Sequence, residues 1–258
     1  MSVLKADHIG IQFGGLRAVN DFSLELEERE LCAIIGPNGA GKTTVFNMLT
    51  GIYKPTFGTI YVNGKAMSDC KPYEFSAAGL ARTFQNIRLF GQATVLDNVK
   101  MAHTLKTDYG FFNMLVRSGK YKSEEKRVTE ESMNLLEMFG LQDKCNYFAC
   151  NLPYGEQRKL EIVRALATEP HILLLDEPAA GMNPNEIDDI ILLIMRIRDE
   201  LGKTILMIEH HMKLVMAIAE KIKVLDFGVT IAEGSPEQVK NDPKVIEAYL
   251  GGDAEHDA

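Results

Sequence analysis

The chain has 258 residues, of which 46% are apolar and 25% are charged, and its formal net charge is −8. This length accommodates one large domain or two small ones around a substantial hydrophobic core. The acidic balance argues against a broad nucleic-acid-binding face, because such faces are rich in lysine and arginine.

No apolar run approaches the roughly 18 residues that are needed to span a bilayer. The longest run, residues 190–195, is interpreted as the buried face of a helix. Residues 1–7 lack the apolar core of a signal peptide. The four cysteines have no Cys or His pair that would complete a zinc set, so they indicate reduced thiols. We therefore expect a cytosolic protein, or one that reaches a membrane only through a partner.

The N-terminal part predicts antiparallel sheet. Residues 3–30 alternate apolar and polar side chains in two stretches that are separated by turn residues. Residues 57–64 add a further strand that ends at Asn63-Gly64, a dipeptide typical of hairpin turns.

Residues 36–44 fit the phosphate-loop pattern G-x-x-x-x-G-K-[ST] between a predicted strand and a predicted helix. Glycines let backbone N–H groups surround phosphate oxygens, and the N-terminus of the helix attracts the same anion. Lys42 can reach the β- and γ-phosphates, and the Thr43 hydroxyl can bind Mg²⁺. The alternative is a glycine-rich turn with an exposed lysine.

Residues 94–168 predict a helical region. Thr94 and Asp97 resemble a capping box, and residues 123–139 have apolar side chains at helical spacing before Gly140, which favours a helix end. Residues 109–116 form an apolar patch, interpreted as local packing in preference to a contact surface.

The final third alternates strands and helices, which indicates a largely parallel sheet covered by helices. Strands are predicted at residues 172–175 and 203–208, helices at residues 186–201 and after the second strand up to about Ala219, and a hairpin around Gly228. Residues 251–258 are expected to form a flexible polar tail.

Acidic side chains follow the strand at residues 172–175. Asp176 is placed to hold hydrated Mg²⁺ opposite Thr43, and Glu177 is then next to the γ-phosphate, where a general base must lie. By itself, such a pair could be an ordinary acidic strand end. The phosphate loop upstream favours the nucleotide interpretation.

The strand predicted at residues 203–208 ends in polar side chains, and His210 there could contact the γ-phosphate and the attacking water. By itself, this could be an ordinary polar strand end. Gln85 lies where a neutral amide could sense Mg²⁺ or water, although spacing alone gives this little weight. Residues 151–158 precede a helix predicted at residues 159–167, whose start is a second possible anion site. Two such sites far apart in sequence suit a dimer that shares nucleotides between its subunits.

The phosphate loop, Gln85, residues 152–157, Asp176-Glu177 and His210 occur in the order and spacing of ATP-binding-cassette (ABC) ATPases, which this chain resembles over essentially its whole length. The resemblance implies an α/β fold of the P-loop NTPase class, with a RecA-like parallel core, an N-terminal antiparallel β-subdomain and an inserted α-helical subdomain. It implies one nucleotide-binding domain at residues 1–250, with the helical subdomain at about residues 88–165, before the tail at 251–258.

The resemblance also implies a set of site residues, with ATP and Mg²⁺ as the bound groups. The catalytic residues would be Glu177 as base, His210 as switch histidine and Gln85. Metal binding would fall to Thr43, Gln85 and Asp176. Phe13 would stack on adenine with Val19 near it, and further ATP contacts would come from Asn38, Gly39, Ala40, Gly41, Lys42, Thr43, Thr44 and the signature residues Tyr154, Gly155 and Glu156.

The sequence is similar in detail to the ATP-binding subunits of branched-chain amino acid importers. Residues 13–16, 82–85, 152–155, 179–184, 208–210 and 248–251 match that subfamily, as does a long helical insertion around residues 104–130. The resemblance implies a cassette dimer on the cytoplasmic face of the plasma membrane. Its partners would be permease subunits that dock near residues 85–90, a second identical or related ATPase subunit, and indirectly a solute-binding protein, with no nucleic acid.

Five positions depart from the general cassette pattern. In the signature, Pro153 stands where a serine is usual, Tyr154 where a glycine is usual and Glu156 where a glutamine is usual. Asn183 stands where an aspartate is usual, and His211 where an aspartate often follows the histidine. Proline offers neither a hydroxyl nor an N–H to a phosphate, so Gly155 and the following amides would carry that contact.

The alternatives keep the ATPase chemistry. One is transport of another solute, such as urea, another amino acid or exported lipopolysaccharide. The other is a non-transport cassette protein acting on DNA or ribosomes, which the acidic balance and the lack of tandem cassettes disfavour.

Overall fold

Two β-sheets form the framework of the part that the computed structural model describes, residues 2–103 and 119–252. The first sheet has the strand order β2-β1-β4-β5 and is antiparallel. Its strands are β1 (Ser2–Phe13), β2 (Leu16–Glu27), β4 (Phe57–Val62) and β5 (Lys65–Ala66). Asn63 and Gly64 have φ of 49° and 76° between β4 and β5, which confirms the predicted hairpin turn.

The second sheet has the strand order β10-β9-β3-β8-β7-β6. Strands β9, β3, β8, β7 and β6 are parallel, and β10 adds antiparallel to β9. Its strands are β3 (Leu31–Ile35), β6 (Leu80–Arg82), β7 (Ile172–Asp176), β8 (Thr204–Ile208), β9 (Lys221–Asp226) and β10 (Val229–Gly234). This sheet confirms the predicted parallel core.

The helices lie between and beside these strands. They are α1 (Lys42–Leu49), α2 (Pro72–Ala77), α3 (Val95–Ala102), α4 (Gly119–Met138), α5 (Tyr154–Leu166), α6 (Pro184–Asp199), α7 (Met212–Ile218), α8 (Pro236–Lys240) and α9 (Pro243–Gly252). Helix α3 packs on α4 and α5, and these three form the helical region. No helix within residues 2–103 or 119–252 combines the length and apolarity that crossing a membrane requires.

The large parallel sheet is buried on both faces. In β3, Leu31, Ala33 and Ile35 belong to one hydrophobic cluster with the helices, while Cys32 and Ile34 belong to another that includes the antiparallel sheet and α1. Since successive strand residues point to opposite faces, a strand buried on both sides is apolar throughout. This explains why these strands appear in the sequence as continuous apolar runs.

In the helical region, the start of α3 and the end of α4 lie where the sequence predicts them, whereas the start of α5 does not. Thr94 Oγ1 accepts the N–H of Asp97 at 3.0 Å and caps α3, and Gly140 with φ of 68° follows α4, both as predicted. Helix α5, however, begins at Tyr154 and not near residue 159. Pro153 is its N-cap, so residues 154–158 are the first turn of the helix and not a loop before it.

Two further predictions need correction, and others concern residues that the structure does not describe. Leu192 is 61% exposed, so residues 190–195 are not a wholly buried helix face, because α6 turns that side chain to solvent. Gly251 and Gly252 end α9, although residues 251–258 were expected to be a tail. The patch at residues 109–116, the insertion at 104–130 up to residue 118, and residues 253–258 lie outside the described residues.

Candidate active site

Four neighbouring parallel strands bring the predicted site residues to one edge of the sheet. The phosphate loop follows β3, His210 comes just after β8, Glu177 follows β7 and Gln85 comes just after β6. Because the carboxyl ends of parallel strands lie at the same edge, segments far apart in sequence meet there. The pairings of Ile34 and Asp176 with Ile208 fix this register.

The phosphate loop has the backbone geometry of an anion cradle. Gly41 is the N-cap of α1 with φ of 98°, and a Cβ there would lie 2.9 Å from the carbonyl oxygen of Ala18. Glycine alone fits both constraints, and it leaves the first N–H groups of α1 facing the loop. Asn38 and Gly39 are exposed at the loop tip, while Ala40 is buried and its carbonyl accepts the N–H of Gly228 at 2.9 Å.

Lys42 lies inside this loop. Its ammonium Nζ donates to the carbonyls of Gly36 at 2.7 Å and Pro37 at 2.9 Å. Burial lowers the pKa of Lys42, and the carboxylates of Glu177 and Asp176 oppose that shift. The lysine and both acids therefore share one electrostatic environment, as the sequence predicted.

The oxygen donors at this edge suit Mg²⁺. Thr43 is exposed and Thr44 half-buried at the start of α1, and Asp176 is buried at the end of β7. Hydroxyl, carboxylate and amide oxygens are the hard ligands that Mg²⁺ takes together with water and phosphate. The residues present therefore fit Mg²⁺, with Thr43, Asp176 and Gln85 as its candidate ligands.

Asp176 has a cationic partner that the sequence analysis did not identify. Arg82 Nη2 donates to Asp176 Oδ2 at 2.7 Å, and Arg82 Nη1 donates to Asn47 Oδ1 at 2.7 Å and Thr50 Oγ1 at 3.2 Å. The guanidinium also lies over the ring of Phe84, 5.1 Å from its centroid. An arginine at the end of an edge strand gives no signal in one sequence that it will meet a carboxylate 94 residues away.

The three predicted catalytic side chains form one cluster. Gln85 Nε2 donates to Glu177 Oε2 at 3.1 Å, and His210 Nδ1 lies 3.7 Å from Glu177 Oε1. Glu177 has φ of 48°, and its N–H donates to the Ile208 carbonyl at 2.9 Å. A left-handed conformation is unfavourable for glutamate, so the surrounding contacts must hold it in place.

Glu209 organises the backbone behind this cluster, a role that the sequence analysis missed. It is fully buried, and its Oε2 accepts the N–H groups of His210 at 2.9 Å and His211 at 3.1 Å. Its Oε1 accepts the N–H of Ala179 at 2.9 Å. Glu209 therefore joins the segment of His210 to the segment that follows Glu177. A glutamate at a strand end beside two histidines was the available signal.

The signature residues lie at the start of α5. Tyr154 is 45% exposed, and a Cβ on Gly181 would lie 3.0 Å from its ring. Gly155 is buried against Glu186, and the Glu156 carboxylate pairs with Lys144. The Glu156 side chain is thus held by a lysine, so its predicted contact with an anion could come only from its backbone N–H.

Phe13, the predicted adenine-binding aromatic, is one of two exposed aromatic rings that contact each other. Phe13 meets Tyr53 edge to face, with ring centroids 5.3 Å apart, and Tyr53 was not predicted. Val19 is fully buried, and its Cγ2 would lie 3.3 Å from a Cβ on Gly41. Val19 therefore lies beneath the phosphate loop and not on the exposed aromatic surface, because β2 turns it inward.

Asn183 and His211, two departures from the general pattern, have local roles. Asn183 is the N-cap of α6, and its Oδ1 accepts the N–H groups of Asn185 at 3.0 Å and Glu186 at 3.1 Å. The His211 ring lies against the His210 ring, with centroids 4.3 Å apart and the ring planes tilted by 37°. Asparagine caps helices as well as aspartate does, so this departure leaves the helix start intact.

Comparison with known families identifies the family to which the chain belongs. The sequence profile of the ABC transporter family matches residues 19–180. The chain belongs to that family. A second profile, described as branched-chain amino acid ATP-binding cassette transporter, matches residues 229–255.

Several relatives of the cassette are similar over nearly its full length. The high-affinity branched-chain amino acid transport ATP-binding protein LivG of Salmonella typhimurium is 45% identical over 96% of this chain and 98% of its own. The protein of the same description from Pseudomonas aeruginosa, BraF, is 44% identical over the same shares.

Solved structures of cassettes share the fold. The ADP conformation of MJ1267, an ATP-binding cassette of an ABC transporter, has a TM-score of 0.84 and 33% identity, over 97% of this chain and 99% of its own. A dimeric, post-hydrolysis structure of the cassette MJ0796 bound to ADP and phosphate has a TM-score of 0.76 and 25% identity, over 90% and 98%. The cassette fold predicted from the sequence is thereby confirmed.

Proposed function

We propose that this cassette is the ATP-hydrolysing, energy-coupling subunit of an importer for branched-chain amino acids. The observation that carries the ATPase assignment is the cluster of Gln85, Glu177 and His210 at the same sheet edge as the phosphate loop. The cargo rests on the names of the relatives and on the profile that matches residues 229–255.

Within this proposal, the phosphate loop binds the triphosphate of ATP. Lys42 exchanges its bonds to the Gly36 and Pro37 carbonyls for bonds to the β- and γ-phosphates. Asn38, Gly39, Ala40, Gly41, Thr43 and Thr44 supply the remaining phosphate contacts. Phe13, with Tyr53 against it, takes the adenine ring.

Glu177 orients or deprotonates water for in-line attack on the γ-phosphate, and the hydrogen bond from Gln85 holds its carboxylate in position. Lys42 and His210 offset the negative charge that develops on the phosphoryl group. Bound Mg²⁺, held by Thr43, Asp176 and Gln85, would neutralise phosphate charge.

The proposed assembly is a dimer of cassettes. The signature residues Tyr154, Gly155 and Glu156 of one subunit face the nucleotide of the other, and the start of α5 offers its N–H groups to the γ-phosphate. The dimeric MJ0796 structure supports such pairing. Each subunit is one nucleotide-binding domain over residues 1–250, with a helical subdomain at about 88–165.

The proposed location is the cytoplasmic face of the plasma membrane, where the cassette docks on permease subunits and serves a solute-binding protein outside. ATP closes the dimer, and hydrolysis reopens it and moves the permeases.

Uptake of labelled leucine in a strain lacking the gene for this chain tests the proposal. The wild-type chain should restore uptake and co-purify with two multi-spanning membrane proteins, while Lys42→Ala should restore nothing. Restored uptake of another solute, but not of leucine, would reject the cargo and leave the ATPase chemistry in place. Co-purification with ribosomal or DNA-repair proteins would reject transport.

A further inference from the structure

Arg158 is a completely buried cation that the proposed mechanism leaves without a role. It lies in the first turns of α5, with 0% of its surface exposed. Its Nη1 donates to the Phe84 carbonyl, and its Nη2 donates to the carbonyls of Gln85 at 3.1 Å and Glu177 at 2.9 Å. One guanidinium thus holds the backbone of two proposed catalytic residues.

Glu161, one helical turn further along α5, completes the arrangement. Its Oε2 accepts Arg158 Nη1 at 2.8 Å, and its Oε1 accepts the N–H groups of Phe84 at 3.4 Å and Arg88 at 3.3 Å. Glu161 is 3% exposed. Arg158 therefore binds carbonyls of the segment that carries Gln85, while Glu161 binds its N–H groups.

Residues 84–88 of that segment form hydrogen bonds with these two side chains. Residues 83–93 belong to no helix or strand. Backbone groups buried without partners cost free energy, so such a segment adopts a fixed path only where side chains satisfy it. Helix α5 supplies those side chains across more than 70 positions of sequence.

A purely structural role explains this pair poorly. Buried ion pairs are costly to desolvate, and apolar side chains of similar size often stabilise a fold as well or better. What apolar side chains cannot do is bind the carbonyls of Gln85 and Glu177 together. The fork of the guanidinium reaches several acceptors at fixed angles, which a lysine cannot match.

We propose that Arg158, with Glu161, is a positioning residue for ATP hydrolysis that links the signature end of α5 to Gln85 and Glu177. Gly155 and Arg158 are three residues apart, so about 4.5 Å of helix separates them along the axis. A shift of α5, when its start seats on the nucleotide of the partner cassette, therefore moves the backbone of Gln85 and Glu177 in its own subunit. This inference rests on the ATP site proposed above.

The test compares Arg158→Lys and Glu161→Gln with Lys159→Met. Lys159 is the next residue of α5 and pairs with Asp189 at the surface, 3.3 Å away, so its loss leaves the buried pair intact. ATP hydrolysis, the affinity for a fluorescent ATP analogue and amide hydrogen exchange are measured on the full chain. Exchange in peptides covering residues 84–88 reports the loop directly, without nucleotide.

We expect Arg158→Lys to lower kcat about 10- to 100-fold, because a misplacement near 1 Å costs this much in oriented reactions. Nucleotide affinity should stay within about twofold, because the phosphate loop is untouched, so the change falls on kcat and not on KM. Exchange at residues 84–88 should rise in both variants and stay unchanged across α6. Lys159→Met should match the wild type throughout.

Wild-type kcat in both variants, or unchanged exchange at residues 84–88, would overturn the inference. Should Arg158→Lys fold poorly, Glu161→Gln decides, because its amide has the shape of the carboxylate and keeps one oxygen acceptor. Failure of the wild-type chain to bind or hydrolyse ATP would instead reject the proposed function, so the two failures are distinguishable.

Discussion

Arg82 and Asp176 form a buried ion pair at the edge of the site, with 2.7 Å between Nη2 and Oδ2 and side chains 5% and 4% exposed. The pair joins β6 to β7, and it engages the carboxylate that is the candidate Mg²⁺ ligand. Removal of one partner of such a pair leaves an uncompensated charge in the protein interior.

We therefore expect Arg82→Met to lower the free energy of unfolding by about 3–5 kcal/mol. Arg196→Met, which removes an arginine paired with Glu200 at the surface, should change it by about 1 kcal/mol or less. Urea denaturation followed by circular dichroism measures both. Equal losses in the two variants would contradict a special role for the buried pair.

Replacement of Glu177 by glutamine should separate binding from hydrolysis. The amide keeps the size of the side chain but cannot accept a proton from water, so we expect a fall of about 10²- to 10⁴-fold in phosphate release with ATP affinity retained. Glu220→Gln, at an exposed pair with Arg198, is the matched control. A Glu177→Gln protein that hydrolyses ATP at nearly the wild-type rate would remove Glu177 from the role of base.

Lys42→Ala should weaken ATP binding by about 10- to 100-fold, as expected for the loss of charge-assisted hydrogen bonds worth about 1.5–3 kcal/mol. Titration with a fluorescent ATP analogue measures this. The control is Lys54→Ala, which removes a lysine paired with Asp69 on the surface. Unchanged affinity in the Lys42 variant would undercut the phosphate-loop assignment.

The edge-to-face pair of Phe13 and Tyr53 predicts that Tyr53 contributes to the binding of the adenine ring and not of the phosphates. Tyr53→Ala should weaken ATP binding by about 2- to 10-fold, since aromatic pairs contribute about 0.5–1.5 kcal/mol beyond area burial. Competition by tripolyphosphate, which has no base, should not change. Tyr73→Ala, at a ring 66% exposed elsewhere, serves as control. An equal loss of affinity for ATP and for tripolyphosphate would show that Tyr53 does not contact the adenine ring.

Cysteine labelling at pH 8 tests the burial of β3. Burial raises the pKa of Cys32 to about 12, so its thiol stays neutral at pH 8 and does not react as a thiolate. Iodoacetamide should modify the exposed Cys150 in the folded protein and reach Cys32 only after denaturation in urea. Mass spectrometry of tryptic peptides identifies the modified residues. Labelling of Cys32 in the folded chain at the rate of Cys150 would contradict this packing.

Local patterns predicted most of the fold and much of the site. Three of these patterns span only about ten residues each: period-2 alternation, the phosphate loop, and buried strands that end in acids. The parallel pairing of strands then brings the loop and the strand ends to one edge. The contact between Gln85 and Glu177 follows from this topology.

The missed features depend on distant partners. Arg82 meets Asp176, Arg158 meets the Gln85 segment, and Glu209 meets Ala179, each across 30 or more positions. A single sequence does not show which distant backbone group or carboxylate a charged side chain will contact. The start of α5 was misplaced for a local reason, because Pro153 and Gly155 suggested a loop where they open a helix.

The order of strands gives the two halves of the site unequal mechanical support. The phosphate loop is attached to β3, which is bonded on both sides by β8 and β9, whereas Gln85 follows β6, a three-residue strand bonded only to β7. An edge strand, which is hydrogen-bonded on one side only, opens locally at a lower free energy than an interior strand does. The phosphate loop should therefore keep its position more firmly than the segment that carries Gln85.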